Sequence, residues 1–272
     1  DRPFELLHIF RNTPFGRETL MQSAFFCQQM GMPIDIYVPG ESQFLMYFEH
    51  GVVTVDLDRS YLRSPGSSRD HAREIADSFE VQHSFFEPTR FTAGLPDLRS
   101  DYAFMSCPRS ISDLSTKIGL GHIGSRVRTI VKQAPFPVLI PAASFKRWNR
   151  IVCFFGGSAN ALIALRCARE ISRRSEARLT IFTQAEGESD TYQRQLERAD
   201  LAEDLEEGRA DWLCFEDGDL KENLYAVHSD ALVIAGAHGH GVAKDLVFGS
   251  KLELIQSELP NPMVIVGPSA VF

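Results

Sequence analysis

The chain is 272 residues long, 44% of them apolar, with a formal net charge of −8. That length suits one large or two ordinary globular domains. The acidic balance argues against nucleic acid or an anionic membrane surface as a partner, and no apolar run approaches the roughly 18–20 residues of a membrane span.

The opening residues, DRPFELLHIF, lack the basic-then-apolar pattern of a secretory leader. Five cysteines with no CxxC pairing suggest buried, reduced thiols, so a cytoplasmic location is expected. In chain order, Phe4–Phe10 predicts a strand. Arg17–Met30 predicts a helix with Leu20, Met21, Ala24, Phe25 and Met30 on its apolar stripe and Gly31 as its stop. Ile34–Val38 follows as a strand. Ser42–Leu57 is apolar and β-rich but has no assignable geometry. A helix over Ser67–Phe79, strands over Val81–Phe86 and Asp101–Ser106, a helix opening at Gly124-Ser125 and a strand at Val138–Ile140 complete the first half. Pro141–Asn149 reads as a linker.

The second half alternates more regularly. Strands are expected at Arg150–Phe155, Ala177–Thr183, Ala210–Phe215, Ala231–Ala235 and Met263–Val266. Helices are expected at Ser158–Ser175, Asp190–Glu207, Leu220–Val227 and from Ser250 to about Leu259, where Pro260 and Pro262 stop the last one. Such alternation implies a parallel sheet covered on both faces, with ligands bound beyond the strand C-termini.

A duplication is also visible. Gly124-Ser125 and Gly249-Ser250 each precede nine residues, a Pro-x-Pro and an apolar strand, and all of these positions are offset by 125. A period of that size indicates tandem domains rather than a solenoid. The expected fold class is therefore α/β, with two tandem doubly wound Rossmann-like domains at 1–145 and 149–272. The two last strands, each an exposed apolar edge if left alone, are expected to pair with one another within the chain as a pseudo-dimer, so that any homodimer would use another surface.

The loop from Gly236 to Ser250 carries the functional signal. Gly236 and Gly239 are separated by two residues, and nine more precede Gly249-Ser250 at a helix N-terminus. A strand, a glycine-rich loop and a helix N-terminus present backbone N–H groups to an anion, and glycine lets the ligand approach without meeting a Cβ. The pattern GAHG, nine residues, GS resembles the nucleotide-binding signature of the universal stress protein family and matches all four of its signature positions. The preceding DALVIAG and following PNPMVIV also resemble that family's fourth and fifth strands.

The resemblance implies an adenine nucleotide alpha hydrolase-like fold and ATP, or another adenine nucleotide, bound in the second half of a stress-associated regulatory protein. Gly236, Gly239, Gly249 and Ser250 would cradle the phosphates, while Phe155-Gly156 and Thr183-Gln184 would bracket adenine and ribose. Any Mg²⁺ would arrive on the phosphates. His238 and His240 lie within the loop, where an imidazole faces either a phosphate or solvent. ATP-binding members carry Asp-Gly-Ser after the first strand. Here the residues are Gly156-Gly157-Ser158, which removes a carboxylate partner for the nucleoside. In the first half, Ile111 and Leu114 stand where the signature needs glycines, so that half reads as a degenerate copy. The alternatives are an interaction module of the same family without nucleotide, and an enzyme. No placed nucleophile, base and orienter set supports the enzyme, so at most slow ATP hydrolysis is expected.

Overall fold

The computed structural model of the chain describes residues 3–57, 65–109, 123–186, 189–198, 201–237 and 250–272. Its first half contains β1 (Leu6–Ile9), α1 (Pro14–Met30), β2 (Ile34–Tyr37), β3 (Gln43–Phe48), β4 (Gly51–Asp56), α2 (Pro65–Ser78), β5 (His83–Phe85), β6 (Phe91–Thr92), β7 (Leu95–Leu98), β8 (Phe104–Ser106), α3 (Ser125–Gln133) and β9 (Val138–Ile140). The second contains β10 (Arg150–Phe154), α4 (Ala159–Ser175), β11 (Arg178–Gln184), α5 (Ser189–Arg198), α6 (Ala202–Glu206), β12 (Ala210–Phe215), α7 (Leu220–Asn223), a 3₁₀ turn at Leu224–Ala226, β13 (Ala231–Gly236), α8 (Ser250–Glu258) and β14 (Met263–Val266).

Local chemistry sets the helix ends. Thr13 caps α1 by accepting from the Gly16 amide, with Pro14 in the first turn, and Gly31 closes the helix at φ 60°. Ser158 caps α4 by accepting from the Ala161 amide. The expected helix over 190–207 is two pieces, α5 and α6. Leu201 lies between them and is buried in the core, which anchors the chain where one long helix would have run on.

The main sheet has ten strands in the order β12-β11-β10-β13-β14-β9-β8-β1-β2-β5. Every neighbouring pair is parallel except β14 and β9, which are antiparallel. Within each half the strands run third, second, first, fourth, fifth, the doubly wound order. Helices α1, α2, α4 and α5 bury one face of the sheet. Helices α3, α7 and α8 bury the other, together with a four-stranded sheet β4-β3-β7-β6. That small sheet accounts for the unassigned 42–57 stretch: Phe44, Met46, Val53 and Val55 turn inward, whereas Tyr47 and Val52 face outward. The central strands β13 and β14 are apolar along most of their length because parallel strands are covered on both faces.

The β9–β14 seam joins the halves in a specific register. Leu139 stands opposite Val264, positions that differ by the repeat offset of 125, and Val138 and Ile140 stand opposite Ile265 and Met263. The carbonyls of Pro137 and Leu139 accept from β8 and its following residue, and those of Pro262 and Val266 accept from β13 and its following residue. Backbone alternation therefore turns the polar groups of 138, 140, 263 and 265 to the seam, and leaves Leu139 and Val264 as the closely spaced side-chain pair.

Further contacts reinforce the seam. Arg128 on α3 pairs with Glu253 on α8 at 2.8 Å, again two positions offset by 125. Arg109 donates to the Gln256 carbonyl at 2.7 Å, at the C-terminal end of α8. The C-terminal residues lie against α3: Ser269 donates to the Lys132 carbonyl at 2.9 Å, and a Cβ on Gly267 would overlap the Val131 carbonyl. The 141–149 stretch is pinned to α1, where Gln22 exchanges two hydrogen bonds with the Lys146 backbone at 2.9 and 3.0 Å.

Arg128 and Glu253 occupy equivalent positions, so complementary charge is possible there only because the two halves differ. Glu253→Arg should put two guanidiniums together and cost about 1 kcal/mol, with most of the loss recovered in the swapped double variant Arg128→Glu/Glu253→Arg. Urea denaturation of the four proteins measures the coupling. Additive losses would mean that the pair contributes nothing to joining the halves.

Candidate functional site

A cavity of about 210 Å³ lies at the C-terminal ends of β10, β11 and β13, beneath α8. Its position follows from the topology: β10 and β13 are adjacent, and their following segments leave to opposite faces, which opens a crevice between them. The walls are largely apolar, formed by Phe154, Phe182, Leu220, Ala235, Leu252 and Ile255. Phe154 and Phe182 are directly opposite in register, with ring centroids 4.8 Å apart, and Phe215 continues the row 4.9 Å from Phe182. Polar groups enter from the rim: Ser158, Gln184, Glu186, Ser250 and Lys251.

Two helix N-termini converge here. Ser158 and Ala161, from the start of α4, and Ser250 and Lys251, from the start of α8, all line the cavity. Each terminus carries partial positive charge, and the first-turn N–H groups of a helix have no partner within it, although at α4 Ser158 already takes that of Ala161. Lys251 Nζ reaches Glu186 across the mouth at 2.6 Å, with both side chains substantially exposed. Glu186 is the one carboxylate among the described lining residues, and among the described residues no group of three or more His, Cys, Asp or Glu could hold a metal. No described helix is long and apolar enough to cross a membrane.

The residues singled out in the sequence divide into three groups. Phe155, Gly156, Gln184, Gly236 and Ser250 all line the cavity. Two of them, Phe155 and Gln184, are also engaged elsewhere. Phe155 is fully buried, with its ring edge-on to Tyr192 at 6.4 Å, so the aromatic wall is Phe154 and Phe182 instead. Gln184 spends its amide on the neighbouring loop, accepting from Asn223 at 2.8 Å and donating to the Phe215 and Gly218 carbonyls. Ser250 is the first residue of α8, where the expected helix also begins.

Thr183 does not line the cavity. Strand alternation turns it to the other face, where it is fully buried and accepts from Trp212 Nε1 at 3.0 Å. His238, Gly239, His240 and Gly249 lie outside the described residues, as do Ile111 and Leu114 of the first half. The sequence reading missed Phe182, Leu220 and Lys251. The signal for Phe182 was there: the residue two before Gln184 on one strand must share its face.

The glycines have separable causes. A Cβ on Gly236 would stand 2.9 Å from Asn160 Oδ1, and the Asn160 amide is itself fixed by donation to the Gly267 carbonyl at 3.0 Å. Gly236 therefore lets the first turn of α4 approach β13. Gly157 holds φ +76° and faces Gln195. At Gly156 a Cβ would meet nothing within 4 Å, so the missing carboxylate leaves open space beside the cavity.

In the first half the residues described directly after β8 are Cys107 to Arg109. Cys107, after β8, is fully buried, and burial pushes its thiol pKa far up, away from reactivity. Arg109 turns onto the C-terminus of α8, as described above.

Several solved structures share this architecture. A universal stress protein from Archaeoglobus fulgidus superposes with a TM-score of 0.64 at 14% identity, over 97% of this chain and 98% of that one. A functionally unknown protein from Pseudomonas aeruginosa PAO1 gives 0.57 at 11% identity, over 97% and 92%. The cytoplasmic domain of a prokaryotic cation chloride cotransporter gives 0.51 at 11% identity, over 98% and 96%. No family model and no curated protein matches the chain. The chain thus has the fold of universal stress proteins over nearly its whole length.

Gly236→Ala should destabilise the protein by roughly 1–3 kcal/mol, because the added methyl meets an anchored neighbour. Gly156→Ala should stay within about 0.5 kcal/mol of the unmodified chain. Chemical denaturation compares them, and equal losses would show that the β13–α4 approach is not the constraint on Gly236.

Proposed function

We propose that this protein is a stress-associated regulatory protein that binds one adenine nucleotide, ATP, in the cavity of its second half. The observation that carries this reading is the convergence of the α4 and α8 N-termini on an aromatic-walled slot at the strand ends. The residues fit the parts of a nucleotide. Phe154 and Phe182 offer flat apolar contact for a base. Gly156 leaves room beside it. The helix termini and the Ser250 hydroxyl suit a phosphate. The cavity is smaller than the roughly 300–1,000 Å³ of sites that engulf a ligand, so the slot fits the nucleoside and the phosphates would extend along α8 toward the 238–249 loop. Gly239 and Gly249 would complete the cradle there, with His238 beside it.

The nucleotide's phosphates supply the charge, and any Mg²⁺ travels with them. What the chain does is bind, orient and exclude water. Lys251 and Glu186 close the mouth, so an incoming phosphate would exchange Glu186 for itself at the lysine. No histidine is among the described lining residues, and we assign no turnover beyond slow hydrolysis.

We further propose that residues 1–145 and 149–272 are the two halves of an intrachain pseudo-dimer, cytoplasmic in location, in which the first half has exchanged the cradle for the Arg109 contact. A second reading, an interaction module without nucleotide, draws on Gly156 and on the likeness to a transporter's cytoplasmic domain.

Calorimetric titration of the full chain with ATP should give a stoichiometry near one. Ser250→Ala should weaken binding about tenfold, the loss of one charge-assisted hydrogen bond, and Gly239→Val should abolish it. A stoichiometry near two would place a site in the first half, and no heat with any adenine nucleotide would favour the interaction module.

A further inference from the structure

A second hollow, of about 1060 Å³, opens at the opposite end of the strands, by the N-terminal ends of β11 and β12, between α4, α6 and Phe272. Its floor is apolar, made by Ala177, Leu179, Ala210 and Phe272. Its walls carry five arginines (Arg166, Arg169, Arg173, Arg178 and Arg209) against three carboxylates, Glu170, Glu176 and Asp204. In a chain of formal charge −8 the lining itself carries more arginines than carboxylates, although Asp211, Glu203 and Glu207 just outside it pair with Arg178 and Arg209.

Part of that charge is structural. Arg173 and Arg174 share Glu170 and lie in the last turn of α4, where cations complement the helix dipole. Arg178 is bidentate to Asp211, with both contacts under 3 Å. Arg209 engages Glu203, Asp204 and Glu207. What remains is more specific. The Asp204 side chain is only 9% exposed, accepts a hydrogen bond from Arg209 at 2.7 Å and forms an ion pair with Arg169 at 2.6 Å, so it links α6 to α4 by charge. Arg169 Nε makes only an ion pair there, without hydrogen-bond geometry, so its terminal N–H groups face the hollow unspent. Arg166 stands one turn earlier on the same helix face, is exposed, and has no ion pair or hydrogen bond among the described residues.

We propose that this hollow is a second ligand site, separate from the cavity under α8, which takes a small molecule with an apolar body and two negative charges. The body lies on Leu179 and Phe272. The anionic groups meet Arg166 and the free side of Arg169, whose planar donors suit carboxylate, sulfonate or phosphate. The ion pair with Asp204 keeps the Arg169 charge beside the hollow before the ligand arrives, which lowers the ordering cost of binding.

Naphthalene-1,5-disulfonate has the required shape and charge and can be titrated calorimetrically into the full chain. We expect saturable one-to-one binding that weakens with added salt, and at least a tenfold loss in Arg166→Glu. Arg166 has no internal partner, so this variant should keep the melting temperature of the unmodified chain, and Ser250→Ala should bind the probe normally. Absence of saturable binding, or binding unchanged in Arg166→Glu, would overturn the proposal. A loss in Ser250→Ala that matched the loss in Arg166→Glu would assign the probe to the other cavity and overturn it equally. None of these outcomes bears on whether ATP binds under α8.

Discussion

The antiparallel pairing of β9 with β14 is the constraint on which the rest of the molecule depends. Two five-stranded sheets, each ending in an apolar last strand, would otherwise expose two edges able to pair with any other chain. Pairing them with each other makes one ten-stranded sheet, whose outer strands β5 and β12 are only partly buried. The register places equivalent residues Leu139 and Val264 face to face and brings the equivalent helices α3 and α8 into contact through Arg128 and Glu253. In an assembly of two identical chains those last two positions would carry the same charge. Duplication within one chain frees them to differ, and here they do.

The same freedom explains why the two halves offer different surfaces at their strand ends. In the second half, Gly236 admits the first turn of α4, and two helix N-termini face a slot walled by Phe154 and Phe182. In the first half, Arg109 is directed onto the C-terminal carbonyls of α8, where a cation offsets the negative end of a helix. Arg109 thereby contributes to the seam. The four-stranded sheet packed on α3's side of the first half is a further asymmetry.

Much of this was legible from the chain. Continuous apolar runs such as Leu232-Val233-Ile234 and Val264-Ile265-Val266 marked strands covered on both faces, and the offset of 125 revealed the duplication. Five of the nine residues singled out for the site do line one cavity: Phe155, Gly156, Gln184, Gly236 and Ser250. The misplacements share a physical origin. Thr183 and Gln184 both end a strand, yet adjacent strand residues face opposite ways, and burial on both faces erases the polar alternation that would tell them apart. The same ambiguity holds for the adjacent pair Phe154 and Phe155. The small sheet was hidden because β3 pairs with β7, about fifty residues away, and β6 is only two residues long, so no local period announces either. The break near Leu201 depends on what that side chain finds in the folded core.

The account treats the seam as part of a single cooperative sheet rather than a contact between two independently stable halves. Native-state hydrogen exchange at the amides of residues 138, 140, 263 and 265 tests this most directly. The account predicts that all four exchange only through global unfolding, with the same free energy as the β10 and β13 core amides. Exchange of these four through a lower-energy opening, while β1, β8, β10 and β13 stay protected, would contradict it.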